Sequence, residues 1–158
     1  MKTLIVYATK HGCAERCATL LAAHFQGNVR LHNLMAGDID PTGYDTVIIG
    51  SSFYVGQAMK PVTEFCAKYK ATLLGKRLGL FAVCMKQGQE ATAQMDTAFG
   101  QELTAHAATK GVFGGEFIMK KLNFLERMIV KKVANITSDT SMVSEQAIAE
   151  FSQTMFAA

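Results

Sequence analysis

Three short, nearly unbroken apolar runs, at residues 4–8, 46–50 and 78–84, constrain this chain more than any other feature of its sequence. A strand that is apolar at every position buries both faces, as happens in parallel sheets covered by helices on each side. Around these runs, apolar residues recur at helical spacing. Cys17, Ala18, Leu21 and Phe25 share a face over residues 14–25, and Val62, Phe65, Cys66 and Tyr69 follow Pro61 in the same way. Pro61 suits a helix start, where its missing N–H costs nothing. Met95, Phe99 and Leu103 predict a third helix, and Ile118, Leu122, Leu125, Ile129 and Val133 a fourth. Ile148, Phe151 and Met155 predict a last helix over residues 143–156, capped by Asp139 or Ser141.

Two weaker strands complete the pattern. Val29, Arg30, Leu31 and His32 alternate, as a strand near a sheet edge does, and residues 111–117 form a run weakened by Gly111, Gly114 and Gly115. Residues 33–44 hold Gly37, Asp38, Asp40, Pro41 and Gly43 and predict a loop with at most one helical turn. The order is β-α-β-loop-β-α-β-α-β-α-α, an α/β arrangement. Right-handed crossovers put the first strand in the centre with helices on both faces. The 158 residues are close to the length of one domain, so residues 1–158 are read as a single unit. Ligands of such sheets lie beyond the carboxyl ends of the strands, at the point where the winding reverses.

Composition removes several function classes. A net charge of +3 is too mild to predict nucleic-acid binding. Cys13, Cys17, Cys66 and Cys84 are dispersed without a CxxC pair, and His11, His24, His32 and His106 lack ligand spacing, so no metal site is expected. Cys13, at a helix start, is the most reactive candidate thiol, and the other three read as small buried hydrophobes. There is no G-x-S-x-G elbow. The apolar start ends at once in Thr9, Lys10 and His11, which argues against a signal peptide, and no run approaches the ~18 residues of a membrane span. A reduced, cytoplasmic location is the expectation.

Three loops therefore carry the candidate chemistry. Thr9, Lys10, His11, Gly12, Cys13 and Ala14 join the first strand to the first helix. Amides at a helix start attract a phosphate, Gly12 permits close backbone approach, and the Thr9 hydroxyl can donate. Neither G-x-G-x-x-G nor G-x-x-x-x-G-K-[ST] is present, so the loop suits one monoester phosphate better than a pyrophosphate. After the third strand come Ser51, Ser52, Phe53, Tyr54, Val55 and Gly56. Small hydroxyl residues allow close approach there, and Phe53 or Tyr54 either offers a ring for stacking or tucks into the core. Cys84, Met85 and Lys86 leave the fourth strand and would cover a ligand's other side.

Residues 5–21, from Ile5-Val6-Tyr7-Ala8-Thr9 through Gly12 to Leu21, resemble the flavodoxin signature. The resemblance implies a flavodoxin-like three-layer α/β/α sandwich with a five-stranded parallel sheet in the order 2-1-3-4-5. It implies bound FMN, with the phosphate on residues 9–14 and the ring system between residues 51–56 and 84–88. Ala14 departs from the pattern, which has a threonine there. Lys86 would place a cation near the pyrimidine end of the flavin and raise its potential. No catalytic side chain is expected, because the flavin carries the chemistry.

The opening loop, the turn at residues 50–56 and the apolar, basic stretch at residues 117–133 further resemble the menaquinone-dependent protoporphyrinogen oxidases. That branch carries a longer basic insertion after the fourth strand, where residues 86–94 here hold Lys86 as their one cation. The branch implies an oxidoreductase passing electrons between a small-molecule substrate and a quinone or other acceptor. The alternative is an electron carrier that docks with a protein redox partner, and a remoter one is a flavin-free interaction module. Residues 117–134, from Phe117 to Ala134, carry Lys120, Lys121, Arg127, Lys131 and Lys132 against Glu126. Such a helix either makes peripheral contact with the inner membrane face or covers the sheet edge with a solvated basic side.

Overall fold

The structure is a computed structural model and describes residues 1–54, 56–84, 88–117, 123–133 and 140–156. Its centre is a set of five parallel strands: β1 (Lys2–Ala8), β2 (Asn28–Asn33), β3 (Thr46–Tyr54), β5 (Arg77–Val83) and β6 (Thr109–Val112). They lie in the order β2-β1-β3-β5-β6. This is the expected 2-1-3-4-5 order, since the intervening β4 (Gln57–Ala58) is a short antiparallel return against the end of β3. Outside the main sheet, β7 (Glu116–Phe117) pairs antiparallel with β8 (Thr140–Ser141).

Helices cover both faces, and the strand sequences sort onto them by alternation. Leu4 and Val6 of β1, Val47 and Ile49 of β3, and Leu78 and Leu80 of β5 face one core. That core is closed by α2 (Lys60–Lys68), α3 (Lys70–Leu74), α4 (Gly88–Phe99) and α5 (Gln101–His106) through Val62, Phe65, Leu73, Met95, Phe99 and Leu103. Ile5, Tyr7, Ile48, Phe81 and Val83 face the other core, closed by α1 (Cys13–Ala22) and α7 (Glu145–Phe156) through Cys17, Leu21, Ile148 and Phe151. Both residue sets are apolar because both faces are dry. Each fully buried Leu or Ile contributes about 1.5–3 kcal/mol.

Several expectations need correction. Residues 51–54 continue β3 instead of starting a loop, because Ser51 and Ser52 stay paired with Ala82 and Val83 of β5. The run at residues 111–117 is two strands, β6 and β7, separated by a turn in which Gly114 has φ 81°. The third helix is two, α4 and α5, broken at Gly100 with φ 88°. The fourth, α6 (Phe124–Val133), starts well inside its expected bounds, and Ile118, Leu122 and Ala134 fall outside the described residues. Of its expected inward stripe, Leu125 is 65% exposed and Ile129 is half-buried, and the side chain of Val133 is outside the described ones. The last helix is capped by Ser144, whose Oγ accepts from the Ala147 N–H at 3.0 Å. Ser141 lies in β8, and Asp139 is outside the described residues. The loop at residues 33–44 does contain one helical turn, a 3-10 turn at Leu34–Ala36. Among the described residues no helix is long and apolar enough to cross a membrane.

Candidate functional site

Parallel pairing brings the ends of three strands together. Ala8 of β1 sits beside Ser51 of β3, and Ser52 beside Val83 of β5, so the segments after these strands open at one end of the sheet.

The first of these segments turns at Gly12, whose φ of 93° and ψ of −6° lie in the left-handed region that glycine enters without strain. The Gly12 N–H donates to Thr9 Oγ1 at 2.9 Å, which draws the loop tight and leaves the threonine proton for another acceptor. Gly12 is also the N-cap of α1, and no side chain caps that helix. Cys13 and Ala14 turn inward and are buried, which accounts for an apolar residue at position 14. Thr9, His11 and Gly12 are half-buried and Lys10 is exposed.

Across the crevice, the two aromatic residues of β3 have separate roles. Phe53 packs into the core against Phe99, with ring centroids 6.3 Å apart. Tyr54 is the ring on the side of the first loop: the His11 ring lies 6.3 Å away, tilted by 50°, and Lys10 Nζ stands 5.3 Å from the Tyr54 centroid. Ser51 is buried, and its hydroxyl donates to the Ser52 carbonyl and accepts from the Met59 N–H, both at 2.9 Å, which pins the return through β4. Gly56 follows at φ 77°, 3.3 Å (measured from an added Cβ) from the Gln94 amide nitrogen. Gln94 Oε1 is buried with no hydrogen-bond partner among the described residues. Cys84 is buried in the core, and Val55, Met85 and Lys86 lie outside the described residues.

The residue that ties these segments together is one for which the sequence predicted no site role. Glu126, on α6, is 4% exposed. Its Oε2 is 2.8 Å from Lys10 Nζ, 3.0 Å from His11 Nε2 and 2.5 Å from the Tyr54 hydroxyl, which donates to it. Its Oε1 accepts from the Asn123 N–H at 3.1 Å while Asn123 Oδ1 accepts from the Glu126 N–H at 2.8 Å. This reciprocal pair is a capping box, and it sets the start of α6. Burial alone would raise the Glu126 carboxyl, but hydrogen bonds from Lys10, Tyr54, His11 and Asn123 outweigh it and hold it well below the usual carboxylate range. Burial, then the hydrogen bond and charge of Glu126, push the Tyr54 phenol upward. Asn123 and Glu126 stand at capping-box spacing in the sequence, which marks the start of α6 but not its contact with the first loop.

An uncapped helix start behind a glycine and a hydroxyl with a proton to give suit a monoester phosphate, whereas the neighbouring donors of Lys10, His11 and Tyr54 are taken by the Glu126 carboxylate. Among the described residues no three His, Cys, Asp or Glu side chains are grouped to hold a metal ion. A groove of about 440 Å³ between α2, α4 and α5 is lined by none of these residues.

The protein-family model described as "Flavodoxin domain" matches residues 4–144. A search of curated protein sequences finds no match. Among solved structures, a short-chain flavodoxin associated with a bacterial microcompartment is similar with a TM-score of 0.63 and 18% identity, covering 98% of this chain and 97% of that one. Oxidised flavodoxin 1 from Bacillus cereus is similar with a TM-score of 0.55 and 17% identity, covering 72% and 82%. A flavoprotein from Lactobacillus acidophilus NCFM, solved in complex with FMN, is similar with a TM-score of 0.52 and 15% identity, covering 84% and 98%. At these identities the likeness is one of fold.

Proposed function

The chain belongs to the flavodoxin domain family, and on that premise we propose that it is an FMN-binding redox protein that passes electrons to and from other molecules. The observation that carries this reading is the uncapped start of α1 behind Gly12, in a loop whose His11 ring lies 6.3 Å from the ring of Tyr54. Residues 9–14 would hold the phosphate, through the α1 amides and the Thr9 hydroxyl. The ring system would lie between residues 51–56, with Tyr54 as the aromatic contact, and residues 84–88. FMN bound there would supply one- and two-electron chemistry, and the protein would orient it and govern access. The reading includes a cytoplasmic location. An absorption spectrum of the purified protein with and without added FMN tests it, with binding of one equivalent as the expected result.

The principal reading is an electron carrier that docks with protein redox partners. A second reading, an oxidoreductase of the menaquinone-dependent protoporphyrinogen oxidase-like branch using a quinone, is favoured by one observation. On α6, Phe124, Leu125 and Met128 are 78%, 65% and 52% exposed, next to exposed Arg127, Lys131 and Lys132. Apolar anchors among cations suit the surface of an anionic membrane, where a quinone dissolves. Steady-state assays with quinones, with and without anionic vesicles, separate the two. Turnover stimulated by vesicles supports the oxidoreductase, and absence of turnover with any quinone supports the carrier.

A further inference from the structure

An amphipathic helix on a protein surface ordinarily buries its apolar stripe. Among the described side chains of α6 the buried one is the Glu126 carboxylate, while Phe124, Leu125 and Met128 face outward. Among its described side chains, what the helix delivers fully to the body of the protein is thus an anionic oxygen. That oxygen, Oε2, meets three donors from two other segments: Lys10 and His11 after β1, and Tyr54 at the end of β3. All three stand at the carboxyl ends of the strands, where open α/β sheets take their ligands.

We infer that Lys10, His11 and Tyr54 form a binding point for the anionic oxygen group, phosphate or carboxylate, of a ligand, and that Glu126 is its built-in occupant. The site is reachable, because the Lys10 and His11 side chains keep 46% and 23% of their exposure while the carboxylate between them keeps 6%. An incoming anion takes over the three donors and supplies Lys10 with a counter-charge, while the displaced Glu126 carboxylate has to reach water. On release, Glu126 retains the bond between its Oε1 and the Asn123 N–H, so the capping box that starts α6 survives. Where the group is the phosphate of FMN, the inference rests on the reading above. Where it belongs to a second ligand, it does not.

Inorganic phosphate and succinate, titrated calorimetrically into the wild type, Glu126→Gln and the double variant Lys10→Gln/Glu126→Gln, test this without flavin. Glu126→Gln keeps the side-chain shape and removes the competing charge. It is expected to bind at least one of the two anions about tenfold or more tightly than the wild type, with the gain lost in the double variant. Unchanged or weaker binding in Glu126→Gln, or a gain that survives loss of Lys10, overturns the inference. If Glu126→Gln does not fold, the wild type answers by NMR: saturable shifts of the His11 and Tyr54 ring signals on adding phosphate or succinate support it, and no shift with either overturns it. Repeating the titrations on FMN-saturated protein identifies the source. Anion binding abolished by FMN, with a tighter fit of FMN but not of riboflavin in Glu126→Gln, assigns the group to the flavin phosphate; persistent anion binding assigns it to a second ligand. A protein that binds no FMN leaves the phosphate and succinate titrations intact as a test.

Discussion

Gly50 of β3 makes room for the ring of Phe81 on β5, its register partner: a Cβ on Gly50 would fall 1.9 Å from Phe81 Cζ. The Phe81 ring is itself held, stacked on Phe113 at 4.8 Å between centroids and edge-on to Phe151 at 6.3 Å. It cannot swing aside without disturbing the α7 side of the core. Gly50→Ala is expected to cost about 3 kcal/mol, the upper end of ordinary overpacking. Chemical denaturation of the two proteins checks it, and a loss under about 0.5 kcal/mol would mean that the ring moves freely.

Glu126 sets an acid limit on the contact between α6 and the first loop. Its folded pKa lies below the ordinary 4.5, so its contribution to stability is complete above the usual carboxylate range and decays as pH falls through it. The difference in Tm between the wild type and Glu126→Gln should therefore be greatest near neutral pH and shrink between about pH 5 and pH 3. Thermal unfolding across that range checks it. A difference independent of pH would show that the charge contributes nothing.

Cys66 should be chemically silent in the folded protein. It is 4% exposed on α2, and burial pushes its thiol up to about 12. The thiolate is the reactive form, so alkylation at about pH 8 should leave Cys66 unmodified until denaturant is added. Peptide mapping by mass spectrometry reads this directly.

The cap of α7 is open to a simple test. Ser144 Oγ accepts from the Ala147 N–H, so Ser144→Ala should destabilise the protein by about 1 kcal/mol. Paired unfolding curves of the wild type and the variant check it, and an unchanged stability would show that the cap contributes nothing.

The sheet was legible because burial on both faces leaves little choice of residue: Leu4 and Val6 face one core, Ile5 and Tyr7 the other, and a continuous apolar run is what remains. Helical periodicity was less informative where the chain bends without losing its pattern. Met95, Phe99 and Leu103 do all face one core, yet Gly100 divides them between two helices. The reading of α6 missed Leu125 and Glu126 for a different reason. Periodicity assigns apolar residues to the interior, whereas this helix buries a carboxylate against donors from residues 10, 11 and 54, and nothing local to α6 announces those partners. At the site, the first loop was legible from Gly12. The choice of Tyr54 over Phe53 as the ring facing it depended on which one the α4 side of the core would accept.

The central claim is that the turn at Gly12 and the start of α1 hold the phosphate of FMN. Titrating FMN and riboflavin into the wild type and into Gly12→Val, followed by flavin absorption and fluorescence with circular dichroism to confirm folding, tests it most directly. Valine at a φ of 93° is strained, which disturbs the turn that leads into the helix amides. The account predicts one equivalent of FMN on the wild type, weaker binding of riboflavin, and loss of FMN from folded Gly12→Val. No FMN binding by the wild type, or a full equivalent retained by the folded variant, would contradict it.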